Sequence, residues 1–334
     1  ERQYGDVLVG STATQQVRAL GDLLEGNTDN SGTVQLTLRH DAQNAAKSAL
    51  GDREGSITVM DPKTGAIIAM YSIPTYDPNA FVILDFETAQ QVITDLQNAD
   101  GNPLLAQAYQ ERFMPGSTFK VITATAGMRK KVVDWDDILE CGAFYRVGDR
   151  DFPEHEPVGY GDVDLDKMLA ISCNVWNYQV GLRAGPDALA SEARRFGLDT
   201  PLLEPVSPDG PGSAYTEPPY AAGRGLVVPD REYKLRIKAG AWHDGDTANF
   251  SIGQGYLLTT PLHMACLIAS VARGETRTTP SIIHDPGRDG RHAGAEPIGL
   301  NAQQLNALRE GMLRCVEEGT AKSVRIPGLP YAAK

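Results

Sequence analysis

Cysteine is scarce in this chain. Four in 334 residues are too few for a disulfide scaffold, so a packed apolar core has to carry the stability. Long apolar runs are missing as well. The stretch Met264-Ala265-Cys266-Leu267-Ile268-Ala269-Ser270-Val271-Ala272 is among the longest, far short of the roughly 20 residues that span a bilayer. Positive charge is in deficit, with 31 Lys and Arg against 43 Asp and Glu and a formal charge of −12. That balance argues against nucleic acid, whose phosphates call for a basic patch. Neither a secretory leader nor an initiator methionine opens the sequence, which therefore reads as an excised ectodomain or core fragment. The remainder, 41% hydrophobic and 22% charged, is ordinary for a soluble globular domain. The length suits one large core, with or without a smaller appendage.

Against this plain background one short run carries chemistry. Ser117-Thr118-Phe119-Lys120 follows the turn Met114-Pro115-Gly116 and opens a stretch to Lys130 with apolar residues at helical spacing. A serine at a helix N-terminus and a lysine three residues on share one face. The free N–H groups and the helix dipole there favour developing negative charge. Such a turn can supply a nucleophile, its base and half an oxyanion hole, although a capped surface helix would carry the same letters. Two further elements follow in order. Ser172-Cys173-Asn174 ends the helix-like run Leu165–Ile171, and Lys334 stands at the end of the sequence. Ser-x-x-Lys, Ser-x-Asn and Lys-Thr-Gly together form a serine acyl-transfer signature. Here the third is represented by its first letter alone. Lys63-Thr64-Gly65 spells it in full but joins two strands, where Thr-Gly is turn chemistry.

Along the chain, residues 33–38 alternate like a strand, and Asp41 to Leu50 reads as a capped, Ala-rich helix. Ser56–Met60 and Ala66–Tyr71 form a hairpin around Asp61-Pro62-Lys63-Thr64-Gly65. Helical patterns cover 87–98, 117–130, 164–171, 175–184, 186–196, 261–273 and 301–318. Residues 201–247 read as a long irregular excursion. This order suggests an α+β fold. A bridge between Cys141 and Cys173 in an oxidising envelope stays open, while Cys266 and Cys315 read as buried helical thiols.

The chain resembles a class B penicillin-binding protein over nearly its whole length. Beyond the motifs, the resemblance rests on Asp61-Pro62-Lys63-Thr64-Gly65 with Ala69-Met70, on Pro74-Thr75-Tyr76-Asp77-Pro78-Asn79 leading to Phe81, and on Pro103-Leu104-Leu105. It continues through Gly245-Asp246-Thr247, Asn249, Ser251-Ile252-Gly253-Gln254-Gly255-Tyr256, Thr260-Pro261-Leu262 and Glu318-Gly319-Thr320-Ala321. Trp242 to Gly255 most resembles the elongation-type, penicillin-binding protein 2 branch. The resemblance implies a transpeptidase fold of the serine β-lactamase type, an antiparallel sheet flanked by helices with an all-helical subdomain. Residues 1–33 would be the remnant of a non-catalytic pedestal, and 34–334 a transpeptidase domain short of its C-terminal end.

The implied activity is peptidoglycan D,D-transpeptidation in cell-wall elongation, outside the cytoplasmic membrane. Ser117 would attack the carbonyl between the terminal D-alanines of a stem peptide and form an acyl-enzyme. Lys120 would be its base, Ser172 would relay a proton to the leaving group, and Asn174 would orient Lys120 and the substrate amide. Lys334 would start the strand at the site's edge and attract the substrate carboxylate. Two plainer readings accompany these roles: Ser172 capping the following helix, and Asn174 as a turn residue. Expected partners are D-Ala-D-Ala stem peptides, β-lactams and a membrane glycan polymerase. No cofactor is expected. Some relatives hold zinc beside Ser-x-Asn through Asp, His and Cys. Here Asp151 and Cys173 are available but Tyr160 stands where the histidine is expected; His155 and Cys141 are the possible substitutes, and no metal is expected. The family pattern continues Lys-Thr-Gly-Thr, so Thr-Gly-Thr is expected to follow Lys334 in the full-length gene. The alternatives to a transpeptidase are a class D-like β-lactamase and a β-lactam sensor or scaffold.

Overall fold

In the computed structural model, residues 33–81, 86–203, 226–287 and 295–334 are described. The expected remnant at 1–33 therefore lies, but for its last residue, outside the described residues, as does 204–225 of the expected excursion. The fold is α+β, as expected. Helix α1 (His40–Leu50) leads into an antiparallel hairpin of β1 (Gly55–Met60) and β2 (Ile67–Ile73), with a register shift between Val59 and Met60. Helix α2 (Phe86–Asn98) follows, then a 3₁₀ turn (Gly116–Phe119) running directly into α3 (Lys120–Lys130). Four short strands come next: β3 (Leu139–Cys141), β4 (Phe144–Val147), β5 (Arg150–Pro153) and β6 (Gly161–Val163). β4 pairs with β5 and β3 with β6, both antiparallel. Helices α4 (Leu165–Ile171), α5 (Asn174–Ala184), α6 (Pro186–Arg195), α7 (Arg231–Arg236), α8 (Asp244–Ser251), α9 (Pro261–Arg273) and α10 (Ala302–Glu317) complete the order.

Two helices lie at the centre. α3 is buried from Lys120 to Met128 and α5 from Val175 to Gly181, the mark of core helices that meet protein on every side. Gly127 and Gly181 let neighbours approach. A Cβ on Gly127 would come within 2.4 Å of a Val180 methyl, and one on Gly181 within 2.4 Å of Ser251 Cβ. Trp176 and Phe119 are fully buried, and Phe119 stacks on Phe250 at 5.2 Å. Each such aromatic stabilises the core by roughly 2–3 kcal/mol. A second cluster, Ile67, Leu262 and Cys266, packs the hairpin under α9.

Three expectations need correction. Residues 33–38 form only a bridge, Leu36 to Ile283, with Thr37 N–H donating to Ile282 O and its hydroxyl to Ile67 O. A period-two pattern says nothing about whether a long partner strand is available. Asp41 does not cap α1: Arg39 is the N-cap without a side-chain bond, and Asp41 pairs with its guanidinium at 2.6 Å. The excursion is not irregular throughout, because Asp230 caps α7 by accepting from Tyr233 N–H and α8 begins at Asp244. The question left open between Cys141 and Cys173 has a plain answer: all four cysteines are free and buried. The Lys63-Thr64-Gly65 decoy is a turn as read, closed by the Asp61 carboxylate on Lys63 N–H and the Thr64 hydroxyl.

Candidate active site

Ser117 is exposed on the 3₁₀ turn, whose last bond runs from Lys120 N–H to Ser117 O. The sequence pattern predicted α-helix from Ser117. The tighter turn matters, because at three residues per turn side chains i and i+3 eclipse, which stacks positions 117 and 120 on one face. The turn is braced from behind. Gly116, at φ +57°, donates to Gly253 O at 2.9 Å, and Phe113 exchanges two backbone bonds with Thr259. Gly253, itself at φ +74°, lies so close that a Cβ there would sit 2.1 Å from Gly116 O. The Ser251–Tyr256 block is thus the back wall of the Ser117 turn. Gly253→Ala is expected to destabilise the protein by about 2–3 kcal/mol, read as a lower thermal midpoint. It should also slow reaction at Ser117.

Lys120 leaves that turn inward and is fully buried. Its Nζ donates to Ser172 O at 2.5 Å, to Asn174 Oδ1 at 2.6 Å and to Ser172 Oγ at 3.2 Å. Ser172 ends α4 in the left-handed region (φ 62°, ψ 38°), costly for a residue with a Cβ, and its carbonyl meets Lys120. Ser172 does not cap the following helix. That N-cap is Cys173, whose Sγ accepts from Trp176 N–H, and Asn174 is the first helical residue rather than a turn residue.

Burial holds the Lys120 ammonium down to about 7, helped by the nearby Lys334 charge and opposed by Glu154 and Cys173. Lys334 is likewise held at about 8, first by burial, and donates from Nζ to Leu169 O at 2.8 Å near the end of α4. Just before it, Ala333 N–H bonds to Met312 O on α10 at 2.9 Å. An apolar groove of about 750 Å³ runs beside the turn, lined by Thr118, Met264, Thr259, Val59 and Lys334 among others.

Sequence reasoning missed Glu154. Its side chain is wholly buried, with Oε2 accepting from Asn174 N–H at 2.7 Å, Val175 N–H at 2.9 Å and Cys173 Sγ at 3.1 Å. Oε1 takes His155 N–H at 3.0 Å and His155 Nδ1 at 2.7 Å. Burial works against its charge, but the donated bonds win and hold the carboxyl below the usual range. Nothing in Phe152-Pro153-Glu154-His155-Glu156-Pro157 signals this; the segment reads as a polar turn. Asp151, named with Cys173 beside a possible metal, is turned away and pairs with Arg146 at 2.7 Å. Among the described residues no group of three or more His, Cys, Asp or Glu gathers around a metal position.

Residues 55–334 match the family described as penicillin binding protein transpeptidase domain. The chain belongs to that family. The penicillin-binding proteins it resembles are of the PBP2 type. It is 28% identical over its full length to the peptidoglycan D,D-transpeptidase MrdA of Acinetobacter baumannii, covering 49% of that protein. The Pseudomonas aeruginosa PBP2 structure in complex with WCK 5153 aligns with a TM-score of 0.74 at 27% identity, over 88% of this chain and 62% of that one. Penicillin-binding protein A of Mycobacterium tuberculosis, as an imipenem acyl-enzyme, aligns with a TM-score of 0.78 at 26% identity, over 100% and 74%. The chain thus spans about half the length of the curated relative it matches. No described helix is long and apolar enough to cross a membrane.

Proposed function

We propose that this penicillin-binding protein is a peptidoglycan D,D-transpeptidase of cell-wall elongation, working through a serine acyl-enzyme in the bacterial cell envelope. One observation carries the reading: a fully buried lysine amine, lowered to about 7, held by Ser172 and Asn174 one 3₁₀ turn from an exposed serine. In this scheme neutral Lys120 takes the Ser117 proton as the hydroxyl oxygen attacks the penultimate D-alanine carbonyl. The C–N bond then breaks, and Ser172 passes the proton to the departing D-alanine amine. Asn174 keeps Lys120 in register, and charged Lys334 draws the substrate carboxylate. A neighbouring stem's amine next attacks the ester, frees Ser117 and closes the cross-link. The β-lactam complexes of the relatives support the same serine chemistry, since a β-lactam presents a carbonyl to the same nucleophile. A membrane glycan polymerase is the partner expected from the resemblance.

Adduct lifetime tests the reaction class. With labelled penicillin, a transpeptidase is expected to keep one covalent label per chain for tens of minutes or longer. Release within seconds, with catalytic hydrolysis of excess penicillin, would mark a β-lactamase instead. Release of D-alanine from a D-Ala-D-Ala stem peptide, with dimer formation when an acceptor amine is added, separates a transpeptidase from a sensor.

A further inference from the structure

We propose that Glu154 is a positioning residue for acyl transfer, fixing the backbone at the start of α5 so that Asn174 Oδ1 stays on the Lys120 amine. The inference rests on the roles given above to Ser117 and Lys120.

A helix leaves its first N–H groups without intrahelical partners, and α5 begins inside the protein. Its own N-cap is Cys173, a thiol that reaches only Trp176 N–H, at 3.3 Å. The N–H groups of Asn174 and Val175 would be left over, at a cost typical of unpaired buried donors. Glu154 takes both with one oxygen and the Cys173 thiol as well. A carboxylate at a helix N-terminus is also favoured by the helix dipole. The residue so gripped through its N–H is the one whose side chain accepts from Lys120 Nζ at 2.6 Å. A displaced α5 start would move that oxygen directly.

Glu154 is braced in turn. His155 folds back onto it through Nδ1, and the His155 Nε2 is bonded to the Tyr160 hydroxyl at 2.5 Å. The clasp thereby reaches from the buried end of α5 to the half-exposed edge of the β5–β6 connection. Glu154 also faces Lys120 electrostatically, together with Cys173 and against Lys334. Its negative charge favours the protonated amine. This gives a readout that a purely structural cap lacks.

Two variants separate the effects. Glu154→Gln keeps an oxygen for the three donors but removes the charge, and it should keep a near-normal melting point. Its labelled-penicillin acylation should show the Lys120 limb moved to lower pH, with initial binding unchanged. Glu154→Ala removes the grip as well. Its maximal acylation rate should fall roughly 10- to 100-fold, the scale of an ångström-sized misplacement of a reacting group, while hydrogen exchange at the Asn174 and Val175 amides speeds up. Labelling of the unsubstituted protein at Ser117 reports on the functional reading, and the variant-to-parent ratios report on Glu154. Parent-like exchange in Glu154→Ala overturns the proposal, as does a parent-like rate and pH limb in both variants. Should Glu154→Ala fail to fold, the pH limb of Glu154→Gln decides.

Discussion

Ser117→Ala is expected to abolish covalent labelling by penicillin and to leave the fold intact. The proposed nucleophilic oxygen disappears, and the neighbouring Thr118 hydroxyl is engaged by Pro115 O. Removing a serine nucleophile from an acyl-transfer site typically costs on the order of 10⁵–10⁶ in turnover. Little else should change. Ser117 is exposed at the start of the 3₁₀ turn, so losing one surface hydroxyl there should shift stability by no more than about 0.5 kcal/mol. The turn itself is held by the Gly116–Gly253 bond and by buried Phe119, neither of which involves the hydroxyl. The check is intact-protein mass spectrometry after incubation with penicillin, alongside a melting curve. A mass increase that persists in Ser117→Ala would sink the assignment of the nucleophile.

The second large effect is on pH. A lysine in water titrates near 10.4 and would leave almost no free base at neutrality. Burial, reinforced by Lys334, brings Lys120 to about 7. The sign follows from which form reacts in the proposed scheme: there the neutral amine accepts the serine proton, so acylation is expected to rise as pH climbs through 7. From pH 6 to pH 8 the neutral fraction grows about tenfold. A falling limb should follow near 8, where Lys334 loses the charge proposed to attract the substrate carboxylate. Acylation rates are therefore expected to trace a bell with its optimum between pH 7 and 8. Lys334→Gln acts in two ways. It removes a repelling charge, so the rising limb should move to higher pH, and it should flatten the falling limb. Lys120→Ala should lower acylation roughly 10²–10⁴-fold at every pH. A rising limb that stays above pH 9 in the unsubstituted protein would refute Lys120 as the base.

Local pattern made much of this legible in advance. Apolar spacing placed α3, α4, α5, α6, α9 and α10 within a residue or a few of their observed ends, because a helix is written by neighbours three and four positions apart. The hairpin turn at Asp61–Gly65 was equally local, and so was the single turn that carries positions 117 and 120. What stayed hidden depends on residues far apart in the chain. Whether residues 33–38 find a full partner strand, whether Cys173 bridges Cys141 or donates to Glu154, and where Lys334 lies are decided by packing.

The sequence by itself determined a turn bearing Ser117 and Lys120, and the family motifs around it. Tertiary structure alone decided what Lys120 is chemically. An amine becomes a base at neutral pH only when water is excluded and a second cation stands near. Burial and Lys334 meet those conditions against the opposing charge of Glu154, while Ser172 and Asn174 hold the nitrogen; the fold brings these groups from three separate stretches of chain.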